Sequence, residues 1–581
     1  MLDRRTIITI AACLAFIPAL CGCGKDERLP EGRRIYSALI AKAVETYCEL
    51  HPLRSSRLGL HRSDSLLFTF SDDEITASTR RLKNLLADLS KLPVSNLEER
   101  LLDNSKLVLN WLKGELFALE SINNYERNPL LYCWMTEEAL YGTCSRVQPP
   151  YEGELAAYEK RMSRIPALLA NAQKNLENVA EPHAKLAVER LDRLLSEFDI
   201  LQELIRERYG HVDFALGPVR LSIEDFRLFI IEDLSSQTHG RLILGLENLS
   251  KIFMYDDFLE LDPNRMIKEA EKSIGRLKKE ANSIERKLEI AGKPAGEVVE
   301  PSVAEKPLKV LHKKQISTKQ KNLQSTISHL IDEIDGKTTK HRTFGEKPAA
   351  RPVVIIRKLP RYLDELPCNP YLTIPPAEEK ICVLSFTPPF SGQPKLSQVV
   401  ISKELEKLEE TELLYRLLKA SSPVRTIGLG RDEDSDSARV LISSETYREG
   451  WILFNMDDII NTMPDKKAEL KFLLLGEKIR ALARMIVVFR LHAGTFTSEE
   501  GAEYLASSTG LTPQEARHDV FLGSASPSIA YSGVACILNE EMLRKFSYAR
   551  GVRKPRTELR RMLHDHYKMP LSMIRDRIPR D

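Results

Sequence analysis

Leu20-Cys21-Gly22-Cys23 is the stretch of this sequence whose residue types most directly imply chemistry. It has the form of a lipobox, in which the thiol of the final cysteine receives diacylglycerol before the leader is cleaved, leaving Cys23 as the first residue of the mature chain. Arg4 and Arg5 supply a positive start and Ile7 to Leu20 an apolar run, so residues 1–23 read as a lipoprotein signal peptide and 24–34 as a short tether. The alternative is a single membrane-spanning anchor, for which the apolar run is short. Paired arginines are ordinary in any positive start region and do not by themselves indicate twin-arginine export. Gly24, where some bacteria use aspartate to retain a lipoprotein at the inner membrane, favours the outer membrane, facing the periplasm.

Six cysteines follow Cys23, at positions 48, 133, 144, 368, 382 and 536, and none has a C-x-x-C or other metal spacing. In an oxidising compartment Cys133 with Cys144, and Cys368 with Cys382, are the nearest pairs in sequence for disulfides; buried free thiols are the equal alternative. His564-Asp565-His566 places two imidazoles at i and i+2, which point apart on a helix and read as a surface triplet. Asp432, Asp434 and Asp436 open like a calcium loop, but Ser437 and Ser443 stand where glycine and glutamate are needed. A nucleophile elbow, a phosphate-binding glycine loop and a dinucleotide fingerprint are all missing. With 85 basic and 83 acidic side chains the net charge is +2, which offers nothing for nucleic acid.

The elements that must position these residues are mostly helices. Ile35, Leu39, Ile40, Val44, Tyr47 and Cys48 recur at helical spacing, as do Leu191, Leu194, Leu195 and Phe198. Ile267, Ala270, Ile274, Leu277, Ala281, Ile284 and Leu288 alternate spacings of three and four and predict a helix packed on another helix of the same chain. Thr497 with Glu500 and Thr512 with Glu515 are capping boxes that predict two further helix starts. Residues 291–307, rich in Ala, Gly, Pro, Val and Glu, read as a linker between an N-terminal helical half, 35–290, and a C-terminal half, 308–581. Short β-prone runs at Ile381 to Phe386 and Leu396 to Ser402 predict a small β element. The expected fold class is all-α, with that element beside a cleft in the C-terminal half.

Several blocks, in order, carry a resemblance to a known family: Cys48-Glu49-Leu50-His51-Pro52 through Leu58-Gly59-Leu60-His61, Arg127 to Tyr132, Arg448-Glu449-Gly450-Trp451, Leu491-His492-Ala493-Gly494 and Ala502 to Leu511. Together they resemble the bacterial family catalogued as domain of unknown function 885, regarded as helical zinc peptidases and in many cases exported, over about Ile35 to Ile578. The resemblance implies a helix bearing His-Glu-x-x-Pro-Gly-His, whose histidines bind zinc and whose glutamate activates water, and a later Glu-Gly-Trp glutamate that completes the site. Counting back from Glu449, the matching stretch here is Thr411-Glu412-Leu413-Leu414-Tyr415-Arg416-Leu417, with Thr411 and Leu417 in place of the histidines. Leucine cannot coordinate zinc and a threonine hydroxyl is a poor neutral ligand, so the expected metal set is empty and no cofactor is expected.

The candidate catalytic residues are therefore Glu412, Glu449, His492 and Tyr531, each with a bland alternative. Glu449 can be a helix carboxylate that holds the old cleft together, and His492 a helix-end residue that favours the last carbonyls. Tyr531, in Ser526 to Tyr531, approximates a family tyrosine able to hydrogen-bond a substrate carbonyl, or packs in the core. The leading expectation is a lipid-anchored envelope protein, a non-catalytic relative of zinc metallopeptidases that binds peptide or an envelope partner. An active hydrolase with a remodelled site, or a structural scaffold of the envelope, are the alternatives. Expected partners are the membrane, through the Cys23 lipid, and a peptide or envelope protein, the peptide joining the short strands as an added edge. Oligomeric state is not legible.

Overall fold

In the computed structural model, residues 31–290 and 444–578 are described, with short breaks at 58–59, 93–96, 145–149, 211–215, 235–239, 241–242, 550–551 and 567. Between these stretches the description covers the backbone of four strand segments and residues 414, 415, 439 and 442. The leader with Cys23, the 291–307 stretch, Thr411, Glu412, Leu417, the aspartates at 432, 434 and 436, and the side chains of Cys368 and Cys382 lie outside the described residues.

The described chain is all-α, as the periodicity predicts, and it builds two hydrophobic cores. The first is formed by the helices from Glu31–Leu50 through Gly217–Phe229. At its centre lies Pro129–Cys144, buried nearly all round, a pattern that only a helix enclosed by others can adopt. Its two carboxylates are matched by guanidinium groups: Glu137 accepts from Arg190 at 2.8 and 2.6 Å, and Glu138 accepts from Arg57 Nε at 2.7 Å.

The second core is arranged around Lys467–His492, which packs on Pro263–Ile290, Tyr531–Tyr548, Glu445–Ile460, Ser498–Thr509 and Pro513–Ala525. The three-four seam forms as expected: Ala270, Ile274, Leu277 and Ala281 are buried against this core, with Ile267 and Ile284 at its rim. Both capping boxes form, Thr497 and Thr512 each accepting from the third backbone amide onward while Glu500 and Glu515 accept from the cap amides at 2.8 Å. Among the described residues no single helix is long and apolar enough to cross a membrane. Pro513–Ala525 and Pro527–Tyr548, bent by 112°, pass together by length and composition, yet both contribute to the second core.

The structure corrects three expectations. The packing division does not fall at residue 290: Leu249, Phe253, Leu259 and the seam from Met266 to Ile284 belong to the second core. Sequence continuity assigns them to the N-terminal half, but their apolar stripes find their partner in Lys467–His492. A Cys133–Cys144 disulfide is absent, both thiols being free and buried. The two residues share one uninterrupted helix, where eleven residues rise about 16 Å, far beyond the reach of a disulfide. The small β element beside the cleft is not supported. Val353–Arg357 runs parallel to Leu396–Ser402, which pairs antiparallel with Ile381–Cys382 and Ser385–Phe386, and the described residues around Glu449, His492 and Tyr531 are helical.

Candidate functional site

The two cores meet at the end of the Leu246–Asp257 helix, which stops because Phe258 takes a left-handed backbone conformation, φ 51°. Asn110, from Glu99–Phe117, donates to the carbonyl of Met254 at 2.8 Å, which also accepts from the Phe258 amide, and to that of Tyr255 at 2.7 Å, an acceptor that the helix end leaves open. This stop presents Asp256 and Asp257 to both halves of the molecule.

Asp257 is fully buried and accepts from the Ser444 and Thr446 hydroxyls, the latter at 2.9 Å, and from the Thr446 amide at 3.3 Å. Ser444 is the N-cap of Glu445–Ile460, so the carboxylate sits at the positive end of the helix that carries Glu449. Asp256 accepts from the Tyr531 hydroxyl, at the first turn of Tyr531–Tyr548. Glu115, 1% exposed, accepts from Trp111 Nε1 at 2.7 Å and lies 2.9 Å from His51 Nε2. Glu445 completes the group and is paired with Arg448 at 2.7 Å.

Burial pushes the Asp256 carboxyl up to about 8; the Tyr531 hydrogen bond opposes this, while Asp257, Glu115 and Glu445 reinforce it. Burial also lifts Asp257, to about 6, against the hydrogen bonds from Ser444 and Thr446. Protons are therefore bound more tightly in the folded state than in the unfolded chain. The stability they contribute is complete below the ordinary aspartate range, near pH 4, and is lost as pH rises through about 8 for Asp256. Asp256→Asn is expected to match the wild type in urea unfolding at acid pH and to exceed it above pH about 8. An equal decline of both proteins across that range would refute the assignment.

The sequence-predicted residues fall at separate places. Glu449 is ion-paired with Arg448 at 2.8 Å. Close to it electrostatically lies Cys536, whose thiol is pushed up to about 12 by burial and which also feels Lys478, Glu540 and Glu477. Glu477 accepts from the Tyr415 hydroxyl, and the neighbouring Leu414 is fully buried in the second core. His492 is 1% exposed and serves as a brace: Nδ1 accepts from the Leu244 amide at 3.1 Å, and Nε2 donates to the Gly523 carbonyl at 3.3 Å. Burial holds its pKa down at about 4, so the ring is neutral with its proton on Nε2. Beside it His183 braces Ser524 at 2.9 Å. Tyr531 reaches the acid junction through its hydrogen bond to Asp256.

Thr411, Glu412 and Leu417, the positions aligned with the zinc motif, lie outside the described residues. Leu414 and Tyr415 occupy the segment aligned with the metal motif, and among the described residues no group of three His, Cys, Asp or Glu side chains converges to hold a metal ion. His564 contacts Asp565 at 3.3 Å and His566 contacts Arg577 at 3.0 Å, so that triplet is engaged in surface pairs.

Sequence reasoning missed Asp256, Asp257, Glu115 and Tyr47. Tyr-Asp-Asp-Phe has no motif spacing, and its partners lie from about 140 to more than 270 residues away in the chain. His51 stood in a family block, which was the one available signal.

A family model for bacterial proteins of unknown function, DUF885, matches residues 52–385, more than half of the chain. The chain belongs to this family. Glu449, His492 and Tyr531 lie beyond the matched span of the DUF885 model. Two solved structures share the fold over nearly the whole chain. One, a putative lipoprotein of unknown function from Shewanella oneidensis, is 16% identical, with 94% of this chain and 99% of that one covered and a TM-score of 0.65. The other, a putative lipoprotein from Colwellia psychrerythraea, is 13% identical, with the same coverage and a TM-score of 0.74. No curated protein matches the sequence.

Proposed function

We propose that this DUF885 protein is a lipid-anchored envelope protein, held through Cys23, whose metallopeptidase-like cleft binds a peptide or an envelope partner without hydrolysing it. The lipobox supports the anchor, and both solved neighbours are named as putative lipoproteins. Gly24 favours the outer membrane, facing the periplasm.

The observation that carries the non-catalytic part is the segment aligned with the zinc motif. Its Leu414 is packed into the second core, where a ligand-bearing helix face would need polar side chains turned toward an open metal position. Glu449, the carboxylate expected to complete such a site, is engaged by Arg448 instead.

The test uses the purified mature body, loaded with zinc, washed, and assayed for metal content and for cleavage of a mixed peptide library beside Glu449→Ala. The expected result is no retained zinc and no turnover in either protein, with peptide binding preserved. Near-stoichiometric zinc together with cleavage that Glu449→Ala abolishes would overturn the proposal. In the anchored form, Cys23→Ser is expected to leave the membrane fraction; continued membrane association would refute the lipid anchor.

A further inference from the structure

We propose that the acid junction at Asp256 is a binding subsite for a primary ammonium group, which in the reading above is the free amino terminus of a peptide. The subsite rests on that peptide-binding reading.

Three carboxyl groups from three elements, Glu115, Asp257 and Glu445, lie within electrostatic range of Asp256, and Glu445 also acts on Asp257. These three are almost wholly buried, whereas Asp256 as a residue keeps partial exposure. An acidic group alone needs no ligand, but a second feature points to one. The Tyr47 hydroxyl is buried, the residue being only 3% exposed, and has no hydrogen-bond partner among the described residues. Its ring lies 4.7 Å from that of His51 and 5.5 Å from that of Trp111, the two residues that hold Glu115. Both Glu115 and Glu445 act electrostatically on its hydroxyl. A buried phenol oxygen left unmatched among carboxylates calls for a donor between them.

The charges that face the junction decide what that donor is. Arg54 lies within range of Tyr47, and Arg448 is turned to Glu445 and Glu449; with these two cations counted, the Asp256–Asp257 end retains the excess negative charge. A metal ion needs oxygen ligands at about 2.0–2.6 Å, and the described acids do not converge to that extent. An ammonium nitrogen holds its acceptors farther off, at about 2.9 Å, and its three donors suit a carboxylate, a second carboxylate and a phenol oxygen. At neutral pH Asp256 carries a proton, so an arriving ammonium displaces it and the junction's net charge is conserved.

The test is calorimetry on the mature chain near pH 7 with leucinamide, N-acetyl-leucinamide, and a short peptide library in free and N-acetylated forms. Leucinamide is expected to bind at least about tenfold more tightly than its acetyl derivative. Its heat should vary with buffer ionisation as it would on release of a proton. Asp256→Asn should lose the proton release and the preference, and the near-isosteric Tyr47→Phe should weaken binding severalfold with an unchanged melt. Equal binding of free and acetylated peptides would overturn the subsite and leave the peptide-binding cleft standing. Binding of leucinamide with proton release, but of no peptide, would support the subsite and overturn the peptide reading. No binding of leucinamide in the millimolar range would overturn the subsite.

Discussion

Arg161→Ala is expected to lower the unfolding free energy by about 3–5 kcal/mol, because it strands a buried carboxylate. Arg161 is 1% exposed and donates from Nε to the Leu66 carbonyl at 3.0 Å, and from Nη2 to the Ser63 carbonyl and the Ser56 hydroxyl, each at 2.6 Å. Asp64, itself fully buried, lies 3.9 Å from the guanidinium and also accepts from the Tyr151 hydroxyl at 2.8 Å. Removing the cation takes a donor from the Leu66 and Ser63 carbonyls and the Ser56 and Thr143 hydroxyls, and leaves the buried Asp64 charge without its guanidinium. Urea unfolding of the mature body measures the loss. Arg220→Ala is the control: its pair with Glu224 joins side chains 55% and 40% exposed and is expected to cost less than about 1 kcal/mol. Equal, small effects at both positions would show that the Arg161 network does not hold the first core.

Gly533→Ala is expected to destabilise the second core by about 1–3 kcal/mol, or somewhat more if the helices cannot part. A Cβ at this position would stand 2.5 Å from the Ala481 carbonyl oxygen and 2.6 Å from Met485 Cβ, on the central Lys467–His492 helix. Backbone cannot yield as a flexible side chain can, so the two helices must separate. Tyr531, two residues earlier, is drawn away from Asp256, and because its hydrogen bond opposes the lift of that carboxyl, the expected secondary readout is a shift of the alkaline sensitivity to higher pH. Gly275→Ala on the partner helix meets nothing within 4 Å and is expected to be stabilising by about 0.5–1 kcal/mol through helix propensity alone. A Gly533→Ala protein as stable as the wild type would contradict this close helix crossing.

These two sites show why some features were legible in the sequence and others were not. The Pro263–Ile290 seam and the boxes at Thr497 and Thr512 are local: a stripe every three or four residues, or a hydroxyl three residues before a carboxylate, states its own structure. The acid junction is assembled from Tyr47, Glu115, Asp256, Glu445 and Tyr531, spread over nearly five hundred residues, and none has a spacing that signals another. Cys133 and Cys144 show the converse error: nearness in sequence suggested a bridge, and one continuous helix forbids it.

His492 shows how a correctly located residue can still carry a different role. Its place at a helix end, beside glycine, was visible in Leu491-His492-Ala493-Gly494. Only the packed structure reveals that its two nitrogens are taken by the Leu244 amide and the Gly523 carbonyl, which makes it a neutral brace between distant segments.

By itself the sequence determined what depends on short-range pattern: the all-α class, the intrachain helix pair, the capped helix starts and the family blocks. Tertiary structure alone decided where the two cores divide, that Asp256 and Tyr531 meet, and that four carboxyl groups share one junction. The physical reason is that helix periodicity and capping are set within a few residues, whereas burial and electrostatic coupling depend on which distant helices exclude water together.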